Sequence, residues 1–159
     1  MNEIPVFSGK TSVKKVYNVA IVAASFNSMI TDSLVKGAVE VLSQAGIGVP
    51  NAEIYKVPGA FEIPLTCKRI FSTKNIDGII ALGAVIRGET PHFDFVAGQC
   101  AAGVQKVSLE FAKPISFGVL TTDNIDQALN RAGLKYGNKG ADAAGALLQL
   151  LHMYDEASI

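Results

Sequence analysis

Four times along this chain a strand-length run of apolar residues gives way to a longer stretch whose apolar positions recur at helical spacing. Residues 16–24 (VYNVAIVAA) form the first run, and their β-branched character suits a strand covered on both faces. After Asn27 the period changes: Ile30, Leu34, Ala38, Val41 and Ala45 share a helical stripe, and Gly46 stands where a left-handed C-cap belongs. Ala52–Val57 is a shorter strand stopped by Pro58-Gly59, and residues 60–71 then read as helix, with Pro64 tolerable only near the first turn. Gly78–Ile86 (GIIALGAVI) is the third strand, followed by a long helix from 91 or 92 through 111. Residues 115–120 supply a fourth strand, then come a short helix over 126–131, a glycine-rich break at 137–140 and a final helix carrying Ala143, Leu147, Leu150 and Leu151.

Such alternation predicts α/β class: a three-layer sandwich with a four-stranded, mainly parallel sheet between helix layers, joined by right-handed crossovers. At 159 residues the chain can bury one substantial core, so residues 16–159 are expected to form a single domain. Residues 1–15, which lack the pattern, are expected to be an extended N-terminal segment.

Basic and acidic residues number 14 each, which leaves no field of one sign to attract nucleic acid or an anionic membrane surface. Charged residues make up 18% of the chain, against the roughly 25% usual in soluble domains, and mean hydropathy is +0.31. Two readings fit: a monomer with a modestly apolar surface, or an oligomer that buries part of it. No apolar run approaches the ~20 residues of a membrane span. The opening residues contain neither a signal core nor an Arg-rich presequence, so the cytoplasm is the expected location. Cys67 and Cys100 lie apart in apolar, helical segments without metal or redox spacing, and are expected to be buried, reduced spectators.

In open α/β sheets ligands bind beyond the carboxyl ends of the strands. The loops at those ends read Ser25-Phe26-Asn27, Val57 through Glu62, Arg87 through His92, and Thr121 through Asn124. The third is richest. Gly88 permits close approach of the backbone, and Glu89-Thr90 opens a helix whose free N–H groups would attract an anion; Thr90 reads equally well as an N-cap. His92, on the first turn, could move protons near such an anion, although most lone histidines do not. Phe26 could stack on a planar ring or simply end a buried strand, Asn27 reads as a helix cap, and Arg131 reads as a phosphate clamp or an ordinary surface residue. His152, in an apolar helix, reads as packing or surface. There is no GxxxxGK[ST] loop, no GxGxxG in the first turn, no GxSxG elbow and no cluster of metal-ligand types, which weakens nucleoside-triphosphatase, dehydrogenase, serine hydrolase and metalloenzyme readings.

With these residues in view the chain resembles the lumazine synthase family, through FN at 26–27, VPGAFEIP at 57–64, ALGAVIRGETPHFDFV at 81–96, FGVLTTDNIDQALNRAG at 117–133 and GNKGADAA at 137–144. The blocks stand in family order and span all but about the first fifteen residues. The resemblance implies a flavodoxin-like fold and the condensation of a ribitylamino-pyrimidine with 3,4-dihydroxy-2-butanone 4-phosphate, without metal or coenzyme. Carried over by position, it makes His92 the proton shuttle and Phe26 the stacking ring. Ala60, Phe61 and Glu62 would hold the pyrimidine and its ribityl chain, and Ala84, Val85 and Ile86 would line the ring pocket with backbone. Glu89 and Thr90 would present amides to the phosphate, Arg131 would oppose it, and Phe117 would come from an adjoining subunit. A homopentamer is implied; some members of the family build an icosahedral 60-mer, which the absence of an insertion at 137–140 favours here, a decamer and isolated rings being the alternatives, with riboflavin synthase as a candidate partner. Ser25 stands where many relatives carry Arg, and Pro91 where others carry Thr, Ser or Ala. Lys135 and Lys139 match basic positions near the family's site, and Asp142 is expected to pair with Arg131. The competing readings are a shell or flavin-binding protein without turnover, and a flavodoxin-like phosphate-binding module, which AASFN after the first strand disfavours.

Overall fold

The computed structural model describes residues 4–159, and its architecture follows from β1 (Val19–Ala24), where all six residues are buried. A strand apolar on both faces must be covered on both, at roughly 1.5–3 kcal/mol for each large aliphatic side chain removed from water. It lies inside the sheet, whose order is β2-β1-β3-β4 with every neighbouring pair parallel: β2 (Ala52–Val57), β3 (Gly78–Ile86) and β4 (Ile115–Thr122). On one face Ile21, Ile80 and Leu82 pack with α1 (Ser28–Gln44), α4 (Ile125–Arg131) and α5 (Lys139–Ala157). On the other, Val22, Ile79 and Ala81 pack with α2 (Ile63–Thr73) and α3 (His92–Phe111). The expected three-layer α/β sandwich is therefore present, with an all-parallel sheet.

The boundaries differ from the periodicity in instructive places. The first strand begins at Val19 rather than at 16, because parallel pairing starts there on both sides, with Ala52 and with Gly78. Below it Val16 is exposed, Tyr17 turns its hydroxyl to Asp155, and the Asn18 N–H goes to the Asp77 carboxylate rather than to a ladder. The second helix is split: a 3-10 turn at Ala60–Glu62 precedes α2, which admits Pro64 in its first turn. Gly46 has φ +78 at the end of α1, as a left-handed cap requires. Cys67 and Cys100 are both buried free thiols on α2 and α3.

Residues 1–3 of the expected N-terminal segment lie outside the described residues, and 4–18 form no helix or strand. Part of this segment runs along α5, with Gly9 against the Gln149 backbone and Thr11 against Gly145. No helix among the described residues is long and apolar enough to cross a membrane.

Candidate active site

Parallel pairing brings the carboxyl ends of β1, β2 and β3 to one edge of the sheet, and a cavity of about 620 Å³ opens there. Ala24 and Phe26 contribute from β1 and its loop, Pro58 through Glu62 from the loop after β2, Ala84 through Ile86 from the end of β3, and Gly88 and Thr90 from the loop beyond. His92, Phe93, Phe95 and Val96 complete it from the first turns of α3. The lining is mostly apolar, with one imidazole, one carboxylate and one hydroxyl among the side chains. That composition suits a planar ring carrying a polar tail.

Main-chain hydrogen bonds stitch these loops together. Ser25 N–H donates to Val57 O at 2.7 Å and Phe26 N–H to Pro58 O at 3.0 Å, which joins the first two loops. Asn27 takes a left-handed conformation, φ 58, and its Nδ2 donates to Ala84 O at 2.9 Å. Asn27 thus occupies the N-cap position of α1 without capping by its side chain; that group instead fastens the first loop to the end of β3. Phe26 is held out of the core, 72% exposed at the cavity rim, which removes the reading of it as a buried strand end.

Glu62 is oriented by its own turn. Its Oε2 accepts the Gly59 N–H at 2.9 Å, and Thr66 Oγ1 donates to the Glu62 carbonyl at 2.9 Å. The start of α3 differs from a simple Thr cap. Pro91 is the N-cap residue, and Thr90 Oγ1 accepts the His92 N–H only at 3.5 Å. Both Thr90 and His92 are exposed to the cavity mouth.

Nine of the expected positions line this one cavity: Phe26, Ala60, Phe61, Glu62, Ala84, Val85, Ile86, Thr90 and His92. Glu89, exposed in the same loop, is not part of the wall, and neither are Phe117 and Arg131. Phe117 is 43% exposed on β4, whose outer edge has no partner strand among the described residues. Arg131 ends α4, where its Nη1 donates to Gln127 O at 3.0 Å and its guanidinium lies over the Tyr136 ring. Asp142 does not pair with it; that carboxylate accepts from Lys139 Nζ at 2.9 Å, one helical turn away. His152 is half-buried, with a buried Nδ1 that meets no hydrogen-bond partner.

Sequence reasoning passed over Phe93, Phe95 and Val96 as wall residues. For Phe95 and Val96 the signal was present in the spacing, since positions three and four after His92 share its side of α3; Phe93, one position on, does not follow from it. Phe95, 66% exposed, reads in the pattern as ordinary helix core. Among the described residues no group of three or more His, Cys, Asp or Glu side chains is placed to hold a metal ion.

Over residues 16–155 the sequence matches the family model described as 6,7-dimethyl-8-ribityllumazine synthase. Among solved structures, a GDP-L-fucose synthetase from Naegleria fowleri aligns at 12% identity with a TM-score of 0.45, covering 98% of this chain and 50% of that one. The same enzyme bound to NADP aligns at 14% identity with a TM-score of 0.44, covering 99% and 51%. The chain spans about half the length of these two proteins.

Proposed function

The chain belongs to the 6,7-dimethyl-8-ribityllumazine synthase family, transferases of riboflavin biosynthesis, and we propose that it condenses 5-amino-6-(D-ribitylamino)uracil with 3,4-dihydroxy-2-butanone 4-phosphate, releasing phosphate and water. The observation that carries this reading is the single apolar cavity in which Phe26, Glu62, Thr90 and His92 converge.

The pyrimidine stacks on Phe26 and lies along the backbone of Ala84, Val85 and Ile86, while Ala60, Phe61 and Glu62 receive its edge and the ribityl chain. With Oε2 held by Gly59, Glu62 has Oε1 to accept a ribityl hydroxyl. The phosphate sits at the opening of α3, where the Glu89 and Thr90 N–H groups face it with the positive end of the helix dipole, Pro91 having no N–H to give.

Condensation begins when the ring amine attacks the ketone and water leaves to give an imine. A proton is lost from the neighbouring carbon and phosphate departs with the C–O bonding pair; the enol left behind takes a proton on its terminal carbon to become a methyl ketone, and the ribityl-bearing nitrogen closes on that new carbonyl with loss of water. Atoms balance without a metal or coenzyme, so the protein's task is to orient two reactive partners and move protons. His92, at the cavity mouth beside the phosphate subsite, is the shuttle.

Arg131 and Phe117 lie outside the cavity of their own chain, so in this reading they serve the cavity of a neighbouring copy. The assembly is a homopentamer in the cytoplasm, extended to an icosahedral 60-mer, with riboflavin synthase as a candidate partner. Purified protein given both substrates should form a fluorescent lumazine, and His92→Ala should slow it by roughly 10²–10⁴-fold, as loss of an acid–base group does. Binding of the pyrimidine with no product from either protein would refute the enzymatic reading.

A further inference from the structure

One charged group beside the cavity has no part in the chemistry above. Arg87 follows β3, immediately before Gly88, and its side chain is committed in three directions. Nε donates to Asp123 Oδ1 at 3.1 Å, Nη1 donates to Asp94 Oδ1 at 3.3 Å, and the guanidinium lies 4.2 Å from the centre of the Phe93 ring. Its backbone N–H donates to Thr122 O at 2.8 Å, which fixes the same residue to the end of β4. Asp94 lies in the first turn of α3 and Asp123 in the loop after β4, so two carboxylates flank the loop at 88–92.

These pairs are exposed, with side-chain accessibilities of 44% for Arg87, 61% for Asp94 and 69% for Asp123. Exposed ion pairs contribute little to stability. Their effect on an anion is a different matter. Asp94 sits where the helix dipole attracts negative charge, and so competes directly with a phosphate for the field at the start of α3. With Arg87 in place the three groups sum to one negative charge; without it they sum to two, close to a dianionic ligand.

We propose that Arg87 is a positioning residue that masks Asp94 and Asp123, and thereby sets the affinity of the loop at 88–92 for the phosphate of the substrate. The inference rests on the phosphate subsite of the preceding reading, but it concerns a residue that does not touch the ligand. Because Arg87 also lies against Phe93, a wall of the cavity, Arg87→Met is the suitable variant: it keeps an apolar stem on that ring and removes the charge.

The test measures binding of inorganic phosphate by calorimetry, its protection of His92 from diethyl pyrocarbonate, and steady-state kinetics with both substrates. Arg87→Met should weaken phosphate binding and raise KM for the sugar phosphate on the order of tenfold, with KM for the pyrimidine unchanged. The deficit should shrink as salt rises, since the interaction crosses solvent. Adding Asp94→Asn and Asp123→Asn to Arg87→Met should restore phosphate affinity, which repair of a merely structural defect would not do. Wild-type phosphate affinity in Arg87→Met, or a loss that neither salt nor the Asn changes relieve, overturns the proposal. A wild-type protein that binds no phosphate overturns it as well. Phosphate affinity that follows Arg87 in a protein making no lumazine would sustain the masking role and refute the enzymatic reading instead.

Discussion

Asn27 shows how a single residue can serve two constraints at once. Its φ of 58 lies in the left-handed region that Asn tolerates better than most side chains, and its Nδ2 grips Ala84 O across the mouth of the cavity. Asn27→Ala should therefore lose both the conformational tolerance and the hydrogen bond, lowering stability by about 1–3 kcal/mol and weakening pyrimidine binding. Asn27→Gly isolates the second effect, since glycine accepts the backbone geometry; denaturant midpoints for the two variants should separate, with Gly the less damaged. Equal midpoints would show that the backbone conformation carries no strain. The identity of Asn27 was legible in the sequence as a capping type, but its role was not, because the partner lies 57 positions along the chain. His92, Thr90 and Glu62 were legible for a simpler reason: parallel strands place every loop after a strand at one edge, so local position already implied a shared site. Phe117 and Arg131 could not be placed by that rule, since neither faces the cavity of its own chain.

Among the elements, strands were read more accurately than helix contacts, because buried runs bounded by Pro and Gly are local signals whereas close approach of two helices is not. Residues 137–140 read as a break, yet Gly140 belongs to the first turn of α5 and is needed there: a Cβ on it would stand 1.9 Å from Leu34 O and 2.6 Å from Leu34 C on α1. Asn138 fixes the same corner, accepting the Gly140 and Ala141 N–H groups on Oδ1 and donating from Nδ2 to Ser33 O at 2.9 Å. Gly140→Ala should push α5 off α1 at a cost of roughly 2–4 kcal/mol, visible as a lower denaturant midpoint; an unchanged midpoint would mean that the helices can part without loss. The α2–α3 layer yields a pH prediction. Burial pushes the Cys67 thiol up to about 12, with Cys100 nearby adding to it, and burial pushes Cys100 up to about 11, from an ordinary value of 9.0. Below pH 9 both folded and unfolded chains hold these protons, so the thiols leave stability independent of pH. Above it the unfolded chain releases protons that the folded chain retains, and stability should fall as pH rises from about 9 toward 11. Denaturant midpoints across that window should decline, and replacing both cysteines by Ala should flatten the decline; an equal slope in the double variant would assign it to other groups, Tyr17 among them, whose hydroxyl is raised in the same direction by burial and by Asp155.

At the scale of the whole molecule, Phe26, Met29, Leu65, Phe95, Leu109, Phe117 and Leu134 are all exposed, apolar surface of the kind that the proposed assembly of copies would cover. The low charge content had suggested as much, without saying which faces were involved. The arrangement of the site sharpens the expectation. His92 lines the cavity while Arg131 and Phe117 lie outside it, so in the reading proposed above the site takes His92 from one chain and Arg131 from the next. This can be tested by complementation. His92→Ala and Arg131→Ala should each be nearly inactive as pure assemblies, and each should fold, because neither side chain is fully buried. Dissociated, mixed in equal amounts and reassembled, they should regain activity: with random neighbours in a closed ring, a cavity has an intact His92 half the time and an intact neighbouring Arg131 half the time, so about one quarter of the wild-type rate is expected. Mixing without dissociation should restore nothing. If each chain supplied both residues to its own cavity, no mixture would exceed its inactive parents, and the subunit-shared site would be wrong even though the chemistry assigned to His92 could stand.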